Sequence, residues 1–293
     1  MNVVDGAAQA KTEVLPMREA RQTVTTAGDP RSRLRGDESV SRQAILLPGI
    51  VLPAELAYPA LIEALGEGVE ARAKELEVYA DEEPPQDYGL ETELAGILRE
   101  AQAADFERFH LVGYSGGGAI SAAFAARHPD RLLSVSLLEP AWIGNEGRSE
   151  RELRVQAEFD RAWELPEDEL MRRFVELQLA PGVEPPPPPP GPTPQWMSKR
   201  PAGIKALTAA FTNYPLDLKA LGAFPRSVYY ALGGRSNPDY FGAMASRLGE
   251  LFPDYTLDVF EQRHHFDPPH RAEPERLAAR LLELWERAPA VAR

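Results

Sequence analysis

The chain has 293 residues, 43% hydrophobic and 26% charged, an ordinary balance for a globular protein with one large core or a core carrying an insertion. No run approaches the ~18 consecutive apolar residues of a membrane-spanning helix. The absence of cysteine excludes disulfides, thiolate nucleophiles and cysteine metal sites, and a net charge of -13 argues against a nucleic-acid partner. The opening "MNVVDGAAQAKTEVLPMREARQ" lacks a basic leader followed by an apolar stretch, so the expected location is cytoplasmic.

Residues 1–41 mix Thr-rich and charged pieces and carry at most two weak edge strands, near 12–17 and 21–26, or partial disorder. The core reading starts at residue 42. "QAILLPGIV" is a short continuous apolar run ended by Pro-Gly, as in a strand buried on both faces of a parallel sheet. A helix follows near 54–66, then a strand near 69–74 and, after the turn "PPQDYG", a helix from Leu90 to Ala103. The alternation continues with the strand "FHLVGY", a helix from Gly116 to Arg127 and the strand "LLSVSLLE". It resumes near residue 225 with "SVYYAL", a helix over 239–251, "YTLDVF" and a helix over 273–287. Strands alternating with helices of this length predict an α/β fold with a mostly parallel, doubly wound sheet and helices on both faces.

Residues 142–224 interrupt that rhythm with charged helices and the stretch 181–194, which contains six consecutive prolines. Six prolines in the polyproline II form make a rod of about 19 Å at ~3.1 Å per residue, and a stiff connector within a helical insertion is the favoured reading over a docking motif. The core then comprises 42–141 and 225–293.

Gly113-Tyr114-Ser115-Gly116-Gly117 matches G-x-S-x-G between a predicted strand and a predicted helix. A turn sharp enough to expose the Ser115 hydroxyl at the sheet's carboxyl edge leaves no room for side chains two positions before and after it. Gly113 and Gly117 answer that requirement.

Here the chain resembles the α/β-hydrolase superfamily, over residue 42 to the C-terminus apart from the insertion. The residues carrying the likeness are "LLPGI", "DYGLETELAGIL", "GYSGGG", "ARHPDRLLSVSLLEPA", "HHFDPP" and "EPERLA", in the superfamily's order. Counting the two weak edge strands, the insertion falls between strands six and seven, where relatives carry a lid. The resemblance implies a serine hydrolase with Ser115 as nucleophile, a histidine base, an orienting acid, a small-molecule substrate and no metal or organic cofactor.

A serine hydroxyl needs a base, and histidine has the matching unperturbed pKa of about 6.5. His110 and His128 suit packing and capping, and His270 suits covering the last helix. Between His264 and His265, the superfamily's placement past the last strand favours His265, leaving His264 a substrate or supporting contact. Relatives often carry the acid after strand seven, but this loop reads "LGGRSNPDYF", with Ser236 at the acid position. Two candidates remain. Glu139 ends strand six, as in some superfamily members, and Asp239 is the alternative, although Asn237-Pro238-Asp239 also reads as a helix start.

The oxyanion donors implied are the backbone N-H of Gly116 and, because Pro48 has none, that of Ile50, with Val51 as fallback. Tyr114, Trp142 and His264 are pocket candidates, and the insertion's Trp163, Phe174, Trp196, Met197 and Phe211 serve either as pocket or as insertion core. Carboxylester cleavage is the default chemistry, with thioesters and lactones close by. C-C bond hydrolysis, acyl transfer and perhydrolysis use the same residues, and a non-catalytic binding or scaffold protein of the same fold is the remaining alternative.

Overall fold

The computed structural model describes residues 42–187 and 191–288. The strands expected within 1–41 and the centre of the proline tract lie outside the described residues. The remainder of that tract, up to residue 187 and from 191, has no regular secondary structure.

The apolar runs form the strands they predict. Strand β1 (Arg42–Leu47) is followed by helices α1 (Ala54–Ala57) and α2 (Pro59–Leu65), then β2 (Val69–Ala73) and α3 (Leu90–Ala103). Next come β3 (Phe109–Tyr114), α4 (Gly116–Arg127) and β4 (Leu132–Leu138). Helices α5 (Glu150–Ala162), α6 (Glu167–Glu176), α7 (Arg200–Asn213) and α8 (Leu218–Gly222) lead to β5 (Val228–Gly233). The chain closes with α9 (Ala243–Leu251), β6 (Tyr255–Phe260), α10 (Pro269–Ala272) and α11 (Pro274–Glu286).

The sheet order is β2-β1-β3-β4-β5-β6, and all five pairings among the described residues are parallel. All seven residues of β4 are buried, as its unbroken run LLSVSLL requires of a strand covered on both faces. Outermost among the described strands, β2 (VEARA) and β6 (YTLDVF) carry charge and are only partly buried.

Alternation along β3 shows how the two faces are filled. Phe109 and Leu111 join the layer of α3, α4 and α9, while Val112 joins Leu277, Leu281 and Leu284 of α11 and Leu61 of α2 on the opposite face. Helix α4 (GGGAISAAFAAR) is buried on nearly every side, and its small residues let it lie close against β3 and β4. His110 stacks on Trp285 at 4.5 Å, and its Nδ1 lies 2.8 Å from Ser134 Oγ. Burial holds its pKa down at about 3, so it is a neutral core residue.

Helices α3 and α4 fall where the sequence places them. The single helix expected over 54–66 is two helices, because Tyr58 precedes Pro59, and Pro59 opens α2 at its first turn. The start expected at 239 is a π-helical turn, Pro238–Gly242, ahead of α9. The last helix is preceded by the separate short α10. A 3₁₀ turn at Glu77–Tyr79 has no counterpart in the sequence reading. It is pinned from α3 by the buried Glu93, whose carboxylate accepts the N-H groups of Glu77 (2.9 Å) and Val78 (3.0 Å) and the Tyr88 hydroxyl (2.7 Å).

Within the inserted stretch, α5 and α6 share a small cluster of their own: Val155, Phe159, Ala162 and Leu177. Leu207, Ala210 and Phe211 of α7 and Leu221 of α8 pack into the core of the sheet instead. The order of strands reverses between β1 and β3, and the loops leaving their carboxyl ends are those of Ile50 and Ser115.

Candidate active site

Ser115 stands between β3 and α4 with φ 51 and ψ -114, left-handed backbone that a non-glycine residue adopts only when its surroundings impose it. The surroundings do so through four hydrogen bonds. The Ser115 N-H donates to Leu138 O (3.0 Å), and its carbonyl accepts from Ala119 (3.1 Å) and Ala141 (2.9 Å). Gly117 N-H donates to Pro48 O at 3.0 Å. Gly113 and Gly117 have no room for a side chain. A Cβ on Gly113 would lie 2.2 Å from Gly117 O, and one on Gly117 would lie 2.5 Å from both Leu47 O and Pro48 O.

Three side chains from distant parts of the chain meet in one line. His265 Nε2 lies 3.0 Å from Ser115 Oγ, and His265 Nδ1 lies 3.1 Å from Glu139 Oε2. Ser115 is 7% exposed, Glu139 3% and His265 2%. Glu139, at the end of β4, also has left-handed backbone (φ 44), with its N-H on Ala231 O (3.2 Å) and its Oε1 accepting Gly233 N-H of β5 (2.7 Å). With the ring proton on Nδ1, His265 donates to the Glu139 carboxylate and turns the Nε2 lone pair toward Ser115.

The imidazole orientation is fixed by packing as well. Phe241 stacks on it at 4.5 Å and 14°, and the Tyr114 hydroxyl donates to the His265 carbonyl.

The other candidates are elsewhere. Asp239 is half exposed beside Arg151 (3.8 Å), and its N-H donates to Asn237 Oδ1 (2.9 Å), the helix-start arrangement its sequence suggests. Ser236 is buried, and its Oγ has no partner among the described residues. His264 is half-buried and its Nδ1 accepts the Phe266 N-H (3.2 Å). His270 is fully buried between the rings of Tyr58 and Tyr114, and burial lowers its pKa to about 3.

Neither the Gly116 nor the Ile50 N-H has an acceptor among the described residues. The two positions are neighbours: the Ile50 nitrogen is 3.6 Å from where a Gly116 Cβ would stand. Gly49 is needed at this loop, since a Cβ there would come within 2.7 Å of the Tyr114 ring.

Ser115, Gly116 and Ile50 line a cavity of about 250 Å³ whose remaining wall comes mostly from residues 142–212, with Ala141 and Tyr240 completing it. Trp142, expected there, lines it, together with Trp163, Phe174 and Phe211. Tyr114 and His264 do not, which corrects that expectation: Tyr114 sits on the far side of the elbow, against His270, and His264 is turned back onto its own loop. Trp196 and Met197 are also absent from the wall.

The sequence reading missed Phe159, Tyr240 and a polar group of Arg148, Gln156 and Asp160. It also missed Tyr79, which holds Ile50. Part of this was readable as spacing. Gln156, Phe159, Asp160 and Trp163 share one face of α5, and Ile204, Thr208 and Phe211 share one face of α7.

Comparison with known proteins agrees with the topology. Residues 79–180 match the family described as having the alpha/beta hydrolase fold. The chain has the α/β-hydrolase fold. A bacterial membrane phospholipase A is similar at a TM-score of 0.59 and 19% identity, over 84% of this chain and 79% of the other. Carboxylesterase CesB from Bacillus subtilis is similar at 0.57 and 15%, over 84% of each chain. A meta-cleavage product hydrolase from Pseudomonas fluorescens is similar at 0.52 and 18%, over 84% and 90%. No curated protein matched the sequence. Likeness at these identities carries the α/β-hydrolase fold and not a substrate.

No described helix is long and apolar enough to cross a membrane.

Proposed function

We propose that the protein is a serine hydrolase that cleaves an ester-type bond of a small molecule through an acyl-enzyme. The observation that carries this reading is the buried line Ser115 Oγ, His265, Glu139, with steps of 3.0 and 3.1 Å, opening onto a cavity lined by Ser115 itself.

In the proposed mechanism Ser115 Oγ attacks the carbonyl carbon as its proton passes to His265 Nε2. Glu139 stabilises the resulting imidazolium through Nδ1-H. The negative oxygen of the tetrahedral intermediate is received by the N-H groups of Gly116 and Ile50, which have no acceptor to give up among the described residues. Collapse breaks the bond to the leaving group, which takes the proton from His265. Water then repeats the sequence in reverse roles, releasing the acid and restoring Ser115.

The α5 to α7 helices act as a cap in this reading. The cavity of about 250 Å³ has room for the acyl part of a small molecule.

A fluorophosphonate probe tests the assignment. Labelling is expected for the intact protein and lost in Ser115→Ala and His265→Ala; labelling of Ser115→Ala overturns it. A panel of p-nitrophenyl esters graded by chain length, with lactones and thioesters, then sorts the bond class, and turnover is expected to peak at short to medium acyl groups.

A further inference from the structure

Ile50, which lines the cavity, is held from outside it. The Tyr79 hydroxyl donates to the Ile50 carbonyl at 2.7 Å, across 29 residues of chain. Tyr79 closes the 3₁₀ turn whose N-H groups are taken by the buried carboxylate of Glu93, so the base of this contact is fixed to α3. Burial pushes the Tyr79 hydroxyl up to about 12, and it remains a protonated donor throughout the neutral range.

Above the ring lies α7. The guanidinium of Arg200 sits 3.8 Å from the Tyr79 ring centroid, and a Cβ on Gly203 would meet Tyr79 Cε1 at 2.1 Å. Arg200 is buried. Its Nε and Nη1 have no hydrogen-bond partner among the described residues, and its nearest carboxylate, Glu75, is 3.8 Å away. A buried cation with unpartnered N-H groups is costly, and the Tyr79 face, the Trp196 ring at 5.3 Å and the Glu75 carboxylate are what the site offers in compensation. Ile204, Thr208 and Phe211 of the same helix line the cavity.

We propose that Tyr79 is a positioning residue that sets the Ile50 oxyanion donor, and that Arg200 and Gly203 lock Tyr79 in place, tying the cavity wall to the oxyanion loop. The inference rests on the serine-hydrolase reading above. Without the Tyr79 hydrogen bond the loop between Gly49 and Val51 can rotate, and a donor that must lie 2.7–3.1 Å from the oxyanion loses alignment in the transition state more than in the bound substrate.

The test is steady-state hydrolysis of p-nitrophenyl butyrate by Tyr79→Phe, Arg200→Met and the double variant, with melting temperatures and phosphonate labelling rates. Tyr79→Phe keeps the ring and its stacking. Its kcat is expected to fall about tenfold with KM within twofold, and the labelling rate to fall in parallel. Arg200→Met is expected to lower kcat in the same direction, and the double variant to lose no more than Tyr79→Phe alone, since both act through one contact.

An unchanged kcat in Tyr79→Phe, a change confined to KM, or multiplicative losses in the double variant would overturn the inference. Should Tyr79→Phe not fold, an Arg200→Met variant with normal kcat would overturn it equally. Failure of the intact protein to label removes the hydrolase reading itself; undiminished labelling of Tyr79→Phe beside a labelled intact protein removes only this one.

Discussion

Replacing Glu139 by Gln tests the proposed acid with little change of shape. Glu139 spends Oε1 on Gly233 N-H (2.7 Å) and Oε2 on His265 Nδ1 (3.1 Å), so both oxygens must accept. A glutamine has one acceptor and one donor end. If its oxygen stays on Gly233, its NH₂ faces Nδ1, which must then accept; the ring proton moves to Nε2 and points at Ser115, where a lone pair is needed. If the amide is turned the other way, a donor confronts the buried Gly233 N-H, at a cost of about 1–3 kcal/mol.

The first arrangement is therefore favoured, with the wrong tautomer. The expected loss in kcat is about 10³- to 10⁴-fold, equivalent to about 4 to 5.5 kcal/mol at 1.36 kcal/mol per decade. Asp239→Asn alters a half-exposed carboxylate 3.8 Å from Arg151, and kcat within about twofold is expected. The assay is p-nitrophenyl ester turnover for both variants, with thermal melts confirming the fold. Glu139→Gln within tenfold of the parent, or a larger loss in Asp239→Asn, would refute the reasoning.

Other expectations concern stability. His110 and His270 are buried neutral with pKa values near 3, both lowered chiefly by burial, whereas the unfolded chain protonates them near 6.5. The unfolded state thus binds more protons between those values, and stability falls as pH drops below about 6.5. From pH 7 to pH 5 each histidine removes about 2 kcal/mol, so denaturant unfolding of His270→Gln should show a shallower pH dependence than the parent; an identical slope would count against a neutral His270. Gly117→Ala, with its Cβ 2.5 Å from two carbonyl oxygens, should destabilise by 1–3 kcal/mol or more in thermal melts, while Gly68→Ala, with open space around it, should be near neutral. Arg247→Leu strips the buried Glu152 of its 2.8 Å partner and should cost about 3–5 kcal/mol by denaturant titration.

Much of this protein is local, and the local part was legible in the chain. The largely apolar runs of β1, β3 and β4 specify buried parallel strands, because a strand covered on both faces has little polar side to show. The Gly-x-Ser-x-Gly turn specifies its own geometry through the space around Gly113 and Gly117. The boundaries of α3 and α4 follow from periodicity and from the glycines that open each.

What needed the tertiary structure was everything that depends on which distant residues meet. Glu139 and Asp239 are both acidic residues near strand ends, and only the pairing of β4 with β5 turns one of them toward His265 through Gly233. Tyr114, adjacent to the serine, points away from the cavity because alternate residues of a strand face opposite sides of the sheet. Tyr79 lies in a 3₁₀ turn without periodic signal, and its hold on Ile50 exists only because α3, through Glu93, and α7, through Arg200 and Gly203, close on it from opposite sides.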